Sequence, residues 1–582
     1  MRFEYKRAPG PRDLSVEGGP GFEVLDQRIH AVAVPCQEAC PVHTDVPAYI
    51  GLIAAGDHDA AYRVNLEDNV FPGVLGRICT RVCETRCRHL WTNVDGPVQI
   101  CHLKRYAADH IRETQEPLPP WFGATGRRVT VVGGGPAGLA AARDLARLGH
   151  RVNLLEAGPV LGGMLVQGIP AFRLPRDVVA AEIDLVLRQG VEARVGASVE
   201  ASDVARLLTQ EDAVILAAGC TRPGTLPLDG ESVEPWDGLT FMARYNEGSL
   251  ALPPGDVLVI GGGFTAVDCA RAARRLARPE ARVTLAYRRT EASMAANLQE
   301  LEELAAEGVT LRTLLTPRSV ERVGEGRALA FQRNRAVTGS TGAKATIEPV
   351  PGARVAIPFV TLVVAIGQHR DEHLLPPGIA FAGGHATTHP RLFTAGDFQG
   401  ASADVVSAVA SGKAAALAVD AVLEGRQRLA PAVRVQPTGR RGWTGRERDH
   451  DLQAPPRMPT LEVAGRTERD AEVETGFLAE QARIAATRCY LCNHRFTIDE
   501  DRCIHCDWCI QAAPRQCIRR VQRFFPDDDG YPARYLEAAT ARDATFIHIE
   551  TDQCIRCGRC LRVCPVGAID MTVLSRRPEP RG

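Results

Sequence analysis

The sequence predicts an α/β protein of several domains, on three observations. Residues 128–142 read Arg128-Val-Thr-Val-Val-Gly-Gly-Gly-Pro-Ala-Gly-Leu-Ala-Ala-Ala, a β-branched strand passing through a glycine turn into an alanine-rich helix. Residues 256–270 repeat the pattern as Asp256-Val-Leu-Val-Ile-Gly-Gly-Gly-Phe-Thr-Ala-Val-Asp-Cys-Ala. Of the 18 cysteines, sixteen fall in two clusters, one toward each end. The repeated unit points to tandem Rossmann-type domains. The cysteines point to metal-binding modules on either side of them.

In the first unit Gly133, Gly135 and Gly138 give the G-x-G-x-x-G spacing. The first glycine permits the tight turn, the second lets a pyrophosphate approach the backbone, and the third lets helix and strand pack closely. Pro136 and Ala137 open the helix, whose free N–H groups and positive end face the phosphates. The next strand, Arg151-Val-Asn-Leu-Leu-Glu156, ends eighteen residues after Gly138, where a carboxylate bonds a ribose hydroxyl.

The second unit has Gly261 and Gly263, then Thr265, with Ala266 in the third glycine position. Its following strand ends in Tyr287-Arg288-Arg289 and carries no acid there. A carboxylate would repel a 2′-phosphate, whereas a guanidinium fork binds one with charge-assisted hydrogen bonds. NADPH is therefore expected over NADH, the alternative being that Arg288 and Arg289 are solvated surface charges.

Composition narrows the class. The chain has 582 residues, 45% apolar and 24% charged, with formal net charge −1. That balance is ordinary for a globular protein and gives no global field for nucleic acid or membrane. No apolar run approaches the roughly 20 residues of a membrane span. The N-terminal Met-Arg-Phe-Glu-Tyr-Lys-Arg lacks the apolar core of a signal peptide. A cytoplasmic location is expected, and in a reducing compartment clustered cysteines indicate metal before disulfides.

The N-terminal cysteines stand in Cys36-Gln-Glu-Ala-Cys40-Pro41, in Cys79-Thr-Arg-Val-Cys83-Glu-Thr-Arg-Cys87, and at Cys101. A 4Fe-4S cubane needs four converging thiolates, and the simplest set is Cys40, Cys79, Cys83 and Cys87. Zinc, which favours Cys-x2-4-Cys pairs and often histidine, and plain structural thiols are the alternatives. Cys36 and Cys101 are left over.

The order Cys-x3-Cys-Pro, a helical stretch, Gly-Arg-Ile-Cys-x3-Cys-Glu-x2-Cys, then Gly-Pro-Val-x-Ile resembles the iron–sulfur domain that opens the glutamate synthase small subunit. It is also similar to the N-terminal part of dihydropyrimidine dehydrogenase. Members of that family usually carry a further Cys-x2-Cys upstream and hold two clusters. Here no cysteine precedes Cys36, so one N-terminal cluster is expected. The loop around Gly163 is similar to the glycine-rich loop after the family's second strand. Leu392-Phe-Thr-Ala-Gly396-Asp397 resembles the second FAD motif of two-dinucleotide flavoproteins, in which the aspartate bonds the ribityl chain. The resemblance implies FAD on the first unit and NADPH on the second, which is inserted in the first. A flavin converts a two-electron hydride into the single electrons that clusters accept, so no acid–base residue is expected to be catalytic. Thiol–disulfide flavoenzymes carry a close cysteine pair, but this core has only Cys220 and Cys269, far apart in sequence.

Near the C-terminus, Cys503-Ile-His-Cys506-Asp-Trp-Cys509 and Cys554-Ile-Arg-Cys557-Gly-Arg-Cys560-Leu-Arg-Val-Cys564-Pro565 form an internal repeat. The second copy is a full bacterial ferredoxin run, in which the fourth cysteine serves the other cluster. One cluster is then Cys503, Cys506, Cys509 and Cys564. The other has Cys554, Cys557 and Cys560, but Ala513 stands where its fourth ligand belongs. Cys517, after a local shift, or Cys489 or Cys492 would supply it. Otherwise that cluster is three-iron or absent.

The expected domains are a helical iron–sulfur domain at 1–120 and the FAD domain at 121–229 and 363–425. The NADPH domain lies at 230–362, a linker at 426–485 and a ferredoxin-like α+β domain at 486–582. An NADPH-oxidising flavoprotein is implied, with FAD, one N-terminal cluster and one or two C-terminal clusters. It would exchange electrons with ferredoxin or a ferredoxin-dependent enzyme. The alternative is a glutamate synthase small subunit feeding a large subunit with glutaminase and FMN chemistry.

Overall fold

The structure is a computed structural model and describes residues 29–91, 95–113, 115–337, 346–400, 404–438, 450–525, 527 and 534–581. The polar opening segment and the arginine-rich run at 440–446 lie outside the described residues. The chain divides into two compact units. One comprises Glu116–Leu423 and Pro459–Thr475, the other Met1–Gln115, Glu424–Met458 and Gly476–Gly582.

The first of these units is built on two parallel sheets. In the larger, the strands run Leu392–Thr394, Ala213–Leu216, Arg128–Val132, Arg151–Leu155, Val191–Arg194, each parallel to its neighbour. An antiparallel pair, Phe381–Gly383 and Ala386–Thr387, extends one edge. Sequence order reverses at Arg128–Val132, so the end of that strand is a topological switch point, where open α/β sheets bind ligands. The strand is buried from Val129 to Val132, as expected for one covered on both faces.

The second sheet repeats the plan, in the order Val309–Arg312, Val283–Ala286, Val257–Ile260, Thr361–Val364, Trp236–Asp237, all parallel. Its crossover carries the long antiparallel strands Leu315–Val323, Gly326–Val337 and Thr346–Phe359. The chain leaves the larger sheet after Leu216 and rejoins it at Phe381, so this unit is inserted in the first. The two crossings are tied where Arg222–Pro223 pairs with Gln368–His369, a few residues outside the boundaries read from the sequence.

Helix Val405–Glu424 alone among the described residues is long and apolar enough to span a membrane. The sequence was expected to hold no apolar run near that length; the helix carries a few charged residues, and the fold uses them. Buried Asp420 accepts a hydrogen bond from His150 at 3.0 Å, and Lys413 lies 3.1 Å from buried Asp144. Such pairs fit a helix packed on a protein core.

In the other unit, helices Val46–Ala54, His58–Asn69, Pro72–Ile78 and Ile100–Asp109 form the N-terminal part. Asp45 and Asp57 cap the first two by accepting from Ala48 and Ala60 N–H groups. Helix Ala479–Thr487 packs against Val46–Ala54 and Ile100–Asp109. Two three-stranded sheets follow. One orders Leu429–Pro437, Ile569–Pro580 and His494–Ile498, the other Arg534–Glu537, Ile518–Phe525 and Phe546–Ile549.

The expected linker includes regular structure among its described residues, 426–438 and 450–485. Its start forms the edge strand Leu429–Pro437, antiparallel to Ile569–Pro580. Residues 459–475 belong to the nucleotide-binding unit, where Val473 N–H donates to the Phe172 carbonyl at 2.9 Å. Helix Ala479–Thr487 completes the stretch.

Candidate cofactor sites

At the first turn the three glycines answer to different demands. Gly133 has φ +110°, and a Cβ there would lie 2.3 Å from the Ala217 carbonyl oxygen. A Cβ on Gly138 would lie 1.8 Å from the Gly133 oxygen. A Cβ on Gly135 would meet nothing nearer than Gly163 Cα at 4.0 Å. Fold therefore dictates the outer two glycines, while the middle one leaves a cradle open above the helix that begins at Pro136, as a dinucleotide pyrophosphate requires.

The other expected residues gather at this turn. Glu156 is buried, and its carboxylate accepts from Gly134 and Gly158 N–H, each at 2.7 Å. Gly162 N–H donates to the Gly134 carbonyl at 2.8 Å, which seats the Gly163 loop on the turn. A Cβ on Gly396 would lie 2.7 Å from Ala137 Cβ, so Gly396-Asp397 reaches the start of the helix. Burial, with Asp404 adding to it, pushes the Asp397 carboxyl up to about 6. These residues fit an FAD.

The second turn repeats the arrangement. Gly261 has φ +155°, Ala266 is fully buried beneath it, and a Cβ on Gly263 would meet nothing within 4 Å. Thr265 lies one residue inside the helix Phe264–Leu276. Arg288 and Arg289 are exposed at the end of the adjacent strand, and neither guanidinium has an ion-pair partner among the described residues. Two uncommitted cations there fit a 2′-phosphate. Cys220 lies 3.5 Å from the Asp397 carbonyl oxygen and Cys269 lies 3.6 Å from that of Gly238, so each thiol has a separate backbone partner.

The sixteen remaining cysteines are all free and fall into four groups of four. Cys503, Cys506, Cys509 and Cys564 line one cavity. Ala568 N–H donates to Cys564 Sγ at 3.2 Å, and burial pushes the Cys509 thiol up to about 12. In the second group Cys517 shares a hydrogen bond with Cys554, and Cys557 and Cys560 are close by. The chain shift at Cys517 thus brings a fourth thiol to the position that Ala513 leaves without one.

The N-terminal quartet is divided differently from the expectation. Cys40, Cys79 and Cys83 remain together, and Cys101 joins them around the buried amine of Lys104. Cys87 turns instead into a cavity lined by Cys36, Cys489 and Cys492. Local spacing placed Cys87 with its neighbours in sequence. The short 3₁₀ turn Glu84–Arg86 redirects the chain just before it. Cys36, Cys101, Cys489 and Cys492 were each left unassigned by spacing. The available signal was arithmetic, since sixteen clustered thiols divide into fours.

Sulfur separations bear on which metal fits. Tetrahedral zinc with Zn–S near 2.3 Å holds its sulfurs ~3.8 Å apart. Among the described residues the only trio of potential ligand atoms within 4.8 Å of one another is Glu500, Cys503 and His505. No three thiols of a quartet come as close together as a single zinc ion would hold them. A four-iron cage, which binds each thiolate at a separate iron, fits them.

Comparison with known proteins agrees with this geometry. The pyridine nucleotide-disulphide oxidoreductase family matches residues 127–412. The family described as dihydropyrimidine dehydrogenase domain II, 4Fe-4S cluster, matches residues 28–116, and a 4Fe-4S binding domain matches residues 546–569. Fold and sites thus define an FAD- and NADP-dependent oxidoreductase with iron–sulfur domains. Relatives include the NADP(+)-dependent formate dehydrogenase subunit beta of Moorella thermoacetica, 33% identical over 79% of this chain and 71% of that protein. The NADPH-Fe(3+) oxidoreductase subunit beta of Geobacter sulfurreducens is 33% identical over 60% of this chain, which spans about half (53%) of that relative. The glutamate synthase [NADPH] small chain of Escherichia coli K12 is 30% identical over 66% of this chain and 87% of its own length. The chain belongs to the family of NADPH-dependent FAD and iron–sulfur oxidoreductases that includes the glutamate synthase small chain.

Proposed function

We propose that this protein passes electrons between NADPH and a ferredoxin or ferredoxin-dependent partner enzyme in the cytoplasm. The observation that carries the reading is the segregation of its thiols. Sixteen free cysteines lie in the unit without nucleotide turns, and the two in the nucleotide-binding unit have separate partners. That distribution suits single-electron transfer through clusters and leaves no redox-active cysteine pair for thiol–disulfide exchange. FAD held by Gly133, Gly135, Pro136, Ala137, Gly138, Glu156, Gly163 and Asp397 would supply the conversion between a nicotinamide hydride and single electrons. Gly261, Gly263, Thr265 and Ala266 would hold the NADPH pyrophosphate, with Arg288 and Arg289 on its 2′-phosphate. Clusters held by cysteine thiolates suit a reducing compartment.

The test is NADPH-dependent reduction of ferredoxin by the anaerobic holoprotein, followed by identification of chains that co-purify from the native cell. Ferredoxin reduction, with a ferredoxin or a 2-oxoacid oxidoreductase co-purifying, is the expected outcome. A large glutaminase-bearing partner would replace it with the second reading, a glutamate synthase small subunit. Likeness to 87% of the E. coli small chain favours that second reading.

A further inference from the structure

We propose that Cys36, Cys87, Cys489 and Cys492 together hold an additional 4Fe-4S cluster, completed by two thiols from each end of the chain. The inference deepens the iron–sulfur reading above and rests on it.

The four thiols line one cavity, with Val46, Ile50 and Val98 among its apolar walls. All four cysteines are buried. Burial pushes the Cys36 thiol well above its ordinary range, and Cys492, Cys87 and Cys489 add to the effect as near neighbours. Four buried thiols facing one space form the donor set of a cubane. As noted above, no three of them approach within the distance a single zinc ion imposes.

The C-terminal pair is fixed in place. Arg488, fully buried, precedes it and donates to the carbonyls of Asp95 and Gly96, each at 3.0 Å. His89, two residues after Cys87, bonds the Arg488 carbonyl and stacks on Tyr490 with ring centroids 4.3 Å apart. Leu491 takes φ +49° and donates its N–H to Cys489 Sγ at 3.4 Å, an amide-to-sulfur contact suited to a thiolate ligand. The Cys-x2-Cys pair is thus held against the N-terminal part by side chains on both sides of the cavity.

The site also has a place among the other three quartets. Tyr49, fully buried, has Cys83, Cys101 and Cys36 among its near neighbours. Arg88, also fully buried, has Cys492 and Cys554 among its neighbours and donates to the Val32 carbonyl at 2.6 Å. Cys560 in turn neighbours Cys509. The four-thiol site therefore neighbours both the Cys40 quartet, through Tyr49, and the Cys554 quartet, through Arg88, so that it can bridge them.

The test is iron and acid-labile sulfide per chain in the anaerobically purified full-length protein, read together with its reduced-state EPR spectrum. Four cubanes give about 16 iron and about 16 sulfide per chain. The double substitution Cys489→Ser with Cys492→Ser should lower both to about 12 and remove one reduced-cluster signal. Cys36→Ser, at the far end of the sequence, should remove the same signal. Cys269→Ser should change neither count, and unchanged flavin per chain together with retention of the remaining cluster signals reports that both units of each variant have folded. A wild-type count near 12, retention of the signal in the variants, or zinc lost with the pair would each overturn the proposal. These readouts do not depend on the electron acceptor, so failure of ferredoxin reduction would count against the proposed function and leave this result standing.

Discussion

Lys104 shows how one side chain can set the properties of a site. It is buried and donates to Asn69 Oδ1 at 2.7 Å. Burial works against its charge, but Cys79, Cys40, Cys101 and Cys83 outweigh that effect and hold the amine above its ordinary value. A fixed cation beside an anionic cluster favours the more negative, reduced form. Lys104→Met should therefore lower that cluster's potential, by ~59 mV for each 1.4 kcal/mol of attraction lost. An EPR-monitored redox titration would show one signal shifted and the rest unmoved. Asp397 gives a second prediction. Its carboxyl is raised from 3.8 to about 6, chiefly by burial, so the folded apoprotein holds a proton there that the unfolded chain has lost. Stability of the apoprotein should fall as pH rises across that window. Asp397→Asn should flatten this part of the profile, measured as Tm against pH, and should also weaken FAD retention.

At the scale of elements, the two glycine turns separate what the fold requires from what the ligand requires. Gly138→Ala drives a methyl against the Gly133 carbonyl and should cost about 1–3 kcal/mol or more, with loss of bound flavin. Gly263→Ala meets open space at an ordinary φ of −94°. It should cost no more than about 1 kcal/mol as a helix cap yet raise the KM for NADPH roughly tenfold. Thermal melts and steady-state kinetics on both variants would check the contrast. These turns were legible in the sequence because each is local, with strand, turn and helix written within fifteen residues. The Cys503 and Cys554 runs were legible for the same reason. Cys87 was not, because its partners Cys489 and Cys492 lie about 400 residues away and no spacing rule reaches that far. The edge strand Leu429–Pro437 was hidden differently. Its prolines at 431 and 437 read as linker, yet an edge strand tolerates proline on its unpaired side.

Taken whole, the chain puts two-electron and one-electron chemistry in different compact units. All the residues proposed to contact the nucleotides fall within Glu116–Leu423, and the sixteen clustered cysteines fall outside it. Yet sequence order does not follow that division. The cluster-bearing unit takes both termini: Leu429–Pro437 and His494–Ile498 flank the strand Ile569–Pro580, and Arg576 of that strand pairs with Glu38 of the N-terminal part. The flavoprotein core is thus inserted within a cluster-binding unit, so damage to either terminus should act on the same electron path. A small oxidant such as ferricyanide can collect electrons at the flavin, whereas a protein acceptor needs the clusters. Cys506→Ser and the Cys489→Ser, Cys492→Ser double variant should both retain NADPH–ferricyanide activity within about twofold. Both should lose ferredoxin reduction by at least about tenfold, a barrier increase of ~1.4 kcal/mol. Loss in the first variant alone would confine the path to the ferredoxin runs. Loss in both would mean that electrons cross thiols contributed by both ends of the chain before they leave it.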